Sequence, residues 1–365
     1  MTCYDFAIVG AGIAGASLAA ELVEGGASVL LLEAEDRPGY HATGRSAAFW
    51  EECYGGPEIV PLTVASGPAL RDGGFLHQRG ALYIGREGDR ALAEDFMRRF
   101  APTGATIEHI GRAQMESRLP GIRPGWSDAI WEPVCADIDV AALHAHFLAR
   151  GRAGGATLQC RARVTGLQRG EGLWSIALAS GESCEAQTIV NAAGAWADEV
   201  AQLAGARPVG IRPYRRTVVQ LRVAPAVPAD LPLVLDLGGK FYFKPESGRL
   251  WLSPHDEEPS EPCDAAPEEL AVAQAIARLG EVVDWQVEAV EHKWAGLRSF
   301  AADRCPVYGR DPEIDGFAWF AGQGGFGIQT SPAAARLARQ LLLGEARDAK
   351  TASLDADLYS PARFA

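Results

Sequence analysis

The chain has 365 residues, 48% of them hydrophobic and 22% charged, which is ample for one or two soluble globular domains. A formal net charge of -13 with no basic stripe argues against nucleic acid as a partner, and no apolar run approaches the ~20 residues of a membrane span. Seven scattered cysteines, an odd number without a CxxC pair, argue against a disulfide framework or a zinc site and suit reduced thiols in a cytoplasm.

A strand is expected over Tyr4–Val9, so close to Met1 that no signal peptide is expected, and the chain is read as cytoplasmic. The strand runs into Gly10-Ala-Gly12-Ile-Ala-Gly15, a helix over Ala16–Glu24, and a second strand over Ser28–Leu32 that closes on Glu33. Strand, glycine turn, helix, strand and acid in this order predict a βαβ dinucleotide site. Gly10 makes the tight turn, Gly12 lets the backbone approach a diphosphate, and Gly15 lets helix and strand pack closely. The diphosphate would meet the unpaired N–H groups of the helix N-terminus, and Glu33 is placed to accept from a ribose.

The following loop, Asp36–Trp50, is rich in small hydroxyl residues and carries Arg45; Ser46-Ala47-Ala48 reads as a helix start. Mixed α/β structure is expected over 51–135, with a strand at Gly80–Gly85, an amphipathic helix at Arg90–Phe100 and a strand at Ala129–Glu132, and no metal spacing. Asp139 is the expected N-cap of a helix Val140–Arg150, whose His144 and His146 read as packing or surface residues. Alternating strands span Ala156–Ala177. A buried strand, Gln187–Ala193, ends in Gly194-Ala195-Trp196, a backbone able to approach a flat cofactor. Period-two alternation over 211–253 predicts an antiparallel sheet in which Arg215-Arg216 open one strand and Tyr242 is central in another. The acidic, Pro-rich segment from His255 to Glu269 reads as a solvated loop without chemistry, before a helix Glu269–Leu279.

The last segment carries Arg298 in WAGLRSF and a strand over Phe317–Ala321. A second glycine-rich turn, Gly322 to Ser331, follows, with Ser331 and Pro332 expected to open a helix ending at Gly344. Glycine turns at both ends of the chain imply a long cofactor held from two sides, which suits FAD better than a nicotinamide.

The combination GAGIAGAS, Glu33, GYHATGRSAA, NAAGAWAD, WAGLRSF and GQGGFGIQTS resembles the D-amino-acid oxidase superfamily of flavoproteins, and most of all the bacterial D-arginine and D-amino-acid dehydrogenases. The resemblance spans nearly the whole chain. It implies an α/β fold, α+β overall: a Rossmann-like FAD-binding domain (1–50, 136–210 and 295–365) interrupted by a substrate domain with a mixed, largely antiparallel sheet (51–135 and 211–294). It implies FAD held noncovalently, with Glu33 and Ala34 at the adenosine ribose. Ile13, Thr43, Arg45, Ser46 and Ala47 would lie at the diphosphate or flavin, Val164, Gly194 and Trp196 beside the cofactor, and Gly324, Gly325, Gly327, Ile328 and Gln329 along the flavin edge.

By the same resemblance Arg298 and Arg216 bind the substrate carboxylate, Tyr54 and Tyr242 surround it, and Gln329 makes a polar contact nearby. The activity implied is oxidative deamination of a D-amino acid to a 2-oxo acid and ammonia, by hydride transfer from Cα to FAD. A guanidinium suits that task on its own chemistry, since it recognises a carboxylate bidentately. Strand register decides whether Arg215 or Arg216 faces the substrate. Ala81 stands at the position of the family's acid for a distal cation, and Phe49 at that of a family histidine, so neutral, hydrophobic substrates are expected. The alternatives are a secondary-amine oxidase or dehydrogenase for sarcosine, proline or an opine, and a NAD(P)-linked flavoprotein reductase. A second GxGxxG followed by an acid is missing for the latter. The implied partners are a small amino acid or amine and an electron acceptor (oxygen, a quinone or another carrier), without nucleic acid or a membrane span.

Overall fold

A computed structural model describes residues 3–365. Its organising strand is Cys3–Val9, which lies between Val29–Leu32 and Ser183–Asn191, parallel to both. Val29–Leu32 and the inner half of Cys3–Val9 are buried, the sign of a parallel sheet covered on both faces. Thr157–Gln159 extends this sheet beyond Val29–Leu32, and an antiparallel pair, Val164–Gly170 with Leu173–Leu178, extends it on the other side. Phe317–Ala321 returns from the far end of the sequence to lie parallel to Ser183–Asn191, so both glycine turns rise from one sheet. The helices Ile13–Glu24, Val140–Ala153 and Gly327–Leu343 pack together beside it through Leu18, Leu22, Ala334 and Leu337.

A second, ten-stranded sheet is antiparallel except where Leu233–Asp236 runs alongside Ala81–Arg86. Its longest ladder pairs Arg212–Ala224 with Gln286–Phe300. Gln323–Gly324 joins the edge of Gln286–Phe300, tying the second glycine turn to this sheet. Its own core gathers around Leu82, Val219, Phe243 and Leu279. Architecture and expectation agree on fold class. Among the described residues no helix is long and apolar enough to cross a membrane.

Asp139 caps its helix as expected, accepting from the Ala142 N–H at 2.9 Å. Two local expectations fail. Ser46–Ala48 does not open a helix: a single 3-10 turn over Thr43–Arg45 precedes extended backbone, because Phe49–Trp50 pairs with the strand Ala136–Ile138. Ser331 and Pro332 do not open the last helix either, since it already begins at Gly327. Pro332 has no N–H for the Ile328 carbonyl one turn back, and the Ser331 hydroxyl donates to that carbonyl instead, at 2.9 Å.

Candidate active site

A cleft with a cavity of about 300 Å³ runs between the two sheets, from Glu33 at one end to Arg298 and Tyr242 at the other. Every residue expected to touch cofactor or substrate lines it except Gly15. That glycine works behind the wall: a Cβ on Gly15 would stand 1.8 Å from the Gly10 carbonyl oxygen. Gly10 cannot give way, because it holds φ +104 and any Cβ there would lie 2.5 Å from the Ala192 oxygen. Gly15→Ala is therefore expected to push the glycine turn into the cleft. Overpacking of ~1–3 kcal/mol makes FAD roughly tenfold to a hundredfold easier to lose. The 450-to-280 nm absorbance ratio after gel filtration reads this directly; full flavin content in the variant would refute it.

The cleft suits a dinucleotide flavin along its length. The N-cap of Ile13–Glu24 is Gly12, which has no side chain to cap it; Thr43 Oγ1 accepts from the Ile13 N–H at 2.9 Å, and the helix dipole points at the cleft. Glu33 is buried; its two oxygens accept from the Ala11 and Glu35 N–H groups, both at 3.0 Å. These bonds hold the carboxylate at the cleft wall and leave lone pairs for a ribose. Trp196 packs on His41 in the middle. At the far end the helix Gly327–Leu343 presents a second N-terminus without a side-chain cap. Arg45 lines the cleft as expected of a cofactor-facing residue, and its guanidinium donates to the Ala265 and Ala295 carbonyls and pairs with Asp264, so it also ties a loop across the cleft. His144, read as packing, is buried against the Ala11 carbonyl at 3.0 Å.

Register settles which arginine faces inward. Tyr214 stands opposite Arg298 and Arg216 opposite Gly296, so Arg216 and Arg298 project from the same face of the sheet. Arg215, opposite Leu297, points the other way and pairs with Glu268 at 2.7 Å. Arg298 donates from Nη1 to the Tyr54 hydroxyl, and its Nε is buried without a partner. Arg216 is 6% exposed and donates from Nε to the Asp256 carbonyl at 2.8 Å.

Burial pushes the Tyr54 phenol up to about 12 and raises Tyr242, so neither phenol neutralises the arginines at ordinary pH. His255, packed edge-on against Tyr242, is pushed down to about 3 by burial and by the adjacent Arg216, and stays neutral. Phe49, Ala47 and Val218 supply apolar wall, whereas Ala81 lies in the core behind it. Gln329 lines the cleft and also has a structural task. It is 1% exposed, and its carboxamide braces the turn below Tyr54: it accepts from the Glu51 N–H and donates to the Glu51 carbonyl, both at 3.2 Å, and to Thr63 Oγ1 at 2.8 Å.

Two features were not read from the sequence. The loop following Ser253 is not idle, because Asp256, Glu257 and Asp264 all meet site arginines. Under Tyr54 lies a buried acid group: the Tyr83 hydroxyl donates to Glu51 Oε1, the Glu52 N–H donates to Glu132 Oε1 at 2.6 Å, and the second oxygen of each acid has no partner. Cys53 joins them, so the three side chains converge within 4.8 Å. Burial lifts Glu51 to about 7 and, with the neighbouring Glu51 charge, raises Glu132 well above the carboxylate range. The signal was present in outline, as acids set within the otherwise apolar stretches FWEECY and AIWEPVCA.

Known proteins share this fold. The chain is 23% identical to hydrogen cyanide synthase subunit HcnC of Pseudomonas aeruginosa over 99% of its length and 96% of that protein's. It superposes on glycine oxidase from Geobacillus kaustophilus with a TM-score of 0.86 at 23% identity, covering 99% of this chain and 98% of that one. L-proline dehydrogenase from P. horikoshii gives a TM-score of 0.86 at 20% identity, with 99% and 98% covered. With residues 5–341 matched by the model of that family, the chain belongs to the FAD dependent oxidoreductases and FAD is its cofactor.

Proposed function

We propose that the chain oxidises the C–N bond of a small neutral amino acid, a D-amino acid by the motif resemblance above, to a 2-oxo acid and ammonia. The observation that carries this is the pair of guanidiniums, Arg216 and Arg298, on one sheet face at the end of the cleft, beside Tyr54 and an apolar wall. Two fixed cations with two neutral phenols favour a carboxylate, and the wall favours a side chain without charge. FAD bound in the cleft supplies the two-electron acceptor. The residues bind the carboxylate, orient the α-carbon and exclude water, so their contribution is chiefly positioning. The substrate amine must be neutral when the C–H bond breaks, and water then hydrolyses the imine. In this reading residues 1–50, 136–210 and 295–365 bind FAD, and residues 51–135 and 211–294 bind substrate.

The relatives named for glycine and L-proline support a second reading, a secondary or achiral amino acid held by the same arginines. Anaerobic mixing with D-, L- and N-alkyl amino acids separates the two by flavin absorbance. Bleaching by neutral D-amino acids, with D-arginine poor, is expected. Bleaching only by glycine, proline or N-methyl substrates would move the assignment to the second reading, and none with any amine would end both. Readmitting air to the bleached protein then tells oxygen from another acceptor.

A further inference from the structure

The loop Pro254–Glu268 is fastened on both sides of the substrate end of the cleft. Asp256 accepts from the Thr217 N–H at 2.7 Å and the Thr217 hydroxyl at 2.8 Å, and Glu258-Pro259 pairs with Tyr214-Arg215. Farther on, Asp264 meets Arg45 and accepts from the Tyr40 hydroxyl at 3.3 Å. Between these anchors the Glu257 side chain reaches back to the arginines. Its Oε1 lies 2.6 Å from Arg298 Nη2, 3.4 Å from Arg216 Nη2 and 2.9 Å from Arg304 Nη2, and its Oε2 lies 3.1 Å from Arg304 Nη2. One carboxylate oxygen thus gathers three guanidiniums.

A substrate carboxylate held by Arg216 and Arg298 would need the same donors. Two carboxylates cannot share them, since like charges at such distances repel strongly in a partly buried site. Among the described residues, Tyr54, Tyr242 and His255 are neutral, and the other carboxylate near these two arginines, Asp256, pairs with Arg216 only at 3.8 Å and has both oxygens engaged by Thr217. The side chains of Glu257 and Arg304 are 37% and 50% exposed, so these two form the outer pair, while those of Arg216 and Arg298 are 7% and 12% exposed. Arg304 is itself held against the Phe300 ring, 4.0 Å from its centroid.

We propose that Glu257 is a resident carboxylate and a specificity-determining residue. It occupies the carboxylate position of the free enzyme, and a substrate displaces it outward onto Arg304. A ligand without a carboxylate cannot pull Arg216 and Arg298 away from Glu257, so simple amines are refused although the cleft would hold their carbon skeleton. The proposal rests on the carboxylate reading of the arginine pair.

The test uses the FAD-loaded protein and propionate, an unoxidisable neutral carboxylate, with propionamide as its uncharged counterpart, read by calorimetry and by perturbation of the flavin spectrum. A resident competitor docked in nine molecules of ten weakens the apparent affinity roughly tenfold. Glu257→Gln is therefore expected to tighten propionate on the order of tenfold, while propionamide, which cannot displace Glu257, is expected not to bind the parent protein. Arg304→Ala, which removes the outward berth, is expected to weaken propionate. Unchanged or weaker propionate binding in Glu257→Gln, with Arg298→Ala still losing it, overturns the resident carboxylate and leaves the carboxylate site standing. Propionate binding that does not respond to Arg298→Ala overturns the carboxylate site and the proposal with it.

Discussion

Replacing Arg298 by alanine is expected to lower kcat/KM for the amino-acid substrate by roughly thirtyfold to several thousandfold, the equivalent of ~2–5 kcal/mol for removing one partner of a buried hydrogen-bonded charge pair. The guanidinium is 12% exposed, and it lies between the Tyr54 hydroxyl and the Glu257 carboxylate. Lysine at this position keeps the charge but presents a point donor on a flexible stem, so Arg298→Lys should recover only part of the loss. Because the arginine orients as well as binds, kcat and KM are both expected to worsen, in steady-state assays at saturating acceptor. A variant with unchanged kcat/KM would remove Arg298 from the substrate site. Flavin content is the control, since the side chain stands at the substrate end of the cleft and the glycine turn at Gly10–Gly15 stands at the other.

The second large effect is on stability and pH. Glu51 is held protonated up to about 7 by complete burial, against an ordinary value of 4.5, and Glu132 beside it is raised well above that ordinary value too. A carboxyl raised in the folded state binds its proton more tightly there than in the unfolded chain. Its contribution is therefore fully present below about 4.5 and is lost as pH climbs through about 7. The shift corresponds to about 3 kcal/mol of unfolding free energy across that window. Urea unfolding at pH 5 and pH 8 measures it, and Glu51→Gln, which retains an acceptor for the Tyr83 hydroxyl, should flatten the difference by that order. An identical pH dependence in the variant would refute the assignment. The same residue's backbone N–H and carbonyl clamp Gln329.

These two predictions draw on different kinds of information. Arg298 was visible because WAGLRSF is a contiguous motif, and the nucleotide end because a βαβ unit is local. Strand, glycine turn, helix and acid follow within some thirty residues, and each step answers to backbone sterics or helix-terminal N–H groups that neighbours in sequence control. Composition and alternation likewise sufficed for the fold class, because a buried parallel strand and a half-buried antiparallel one differ in period.

Contacts across long separations lay beyond such reading. Whether Arg215 or Arg216 faced inward depended on pairing with Gln286–Phe300, where a slip of one residue would exchange the two. Helix initiation at Gly327 overrode the better local signal at Ser331-Pro332, because Gln323–Gly324 is pinned to the edge of the second sheet and the turn must begin there. Glu51 and Glu132 are far apart in the chain and come to hold protons more tightly only when the strand Trp126–Glu132 brings them together away from water. Glu257 looked like one more solvated charge in an acidic loop. The sequence by itself determined the nucleotide-binding scaffold and the residue types of the site, since those are set by local backbone chemistry. The tertiary structure alone decided which charges face one another across the cleft, since burial and distance, which give a charge its effect, exist only in the folded chain.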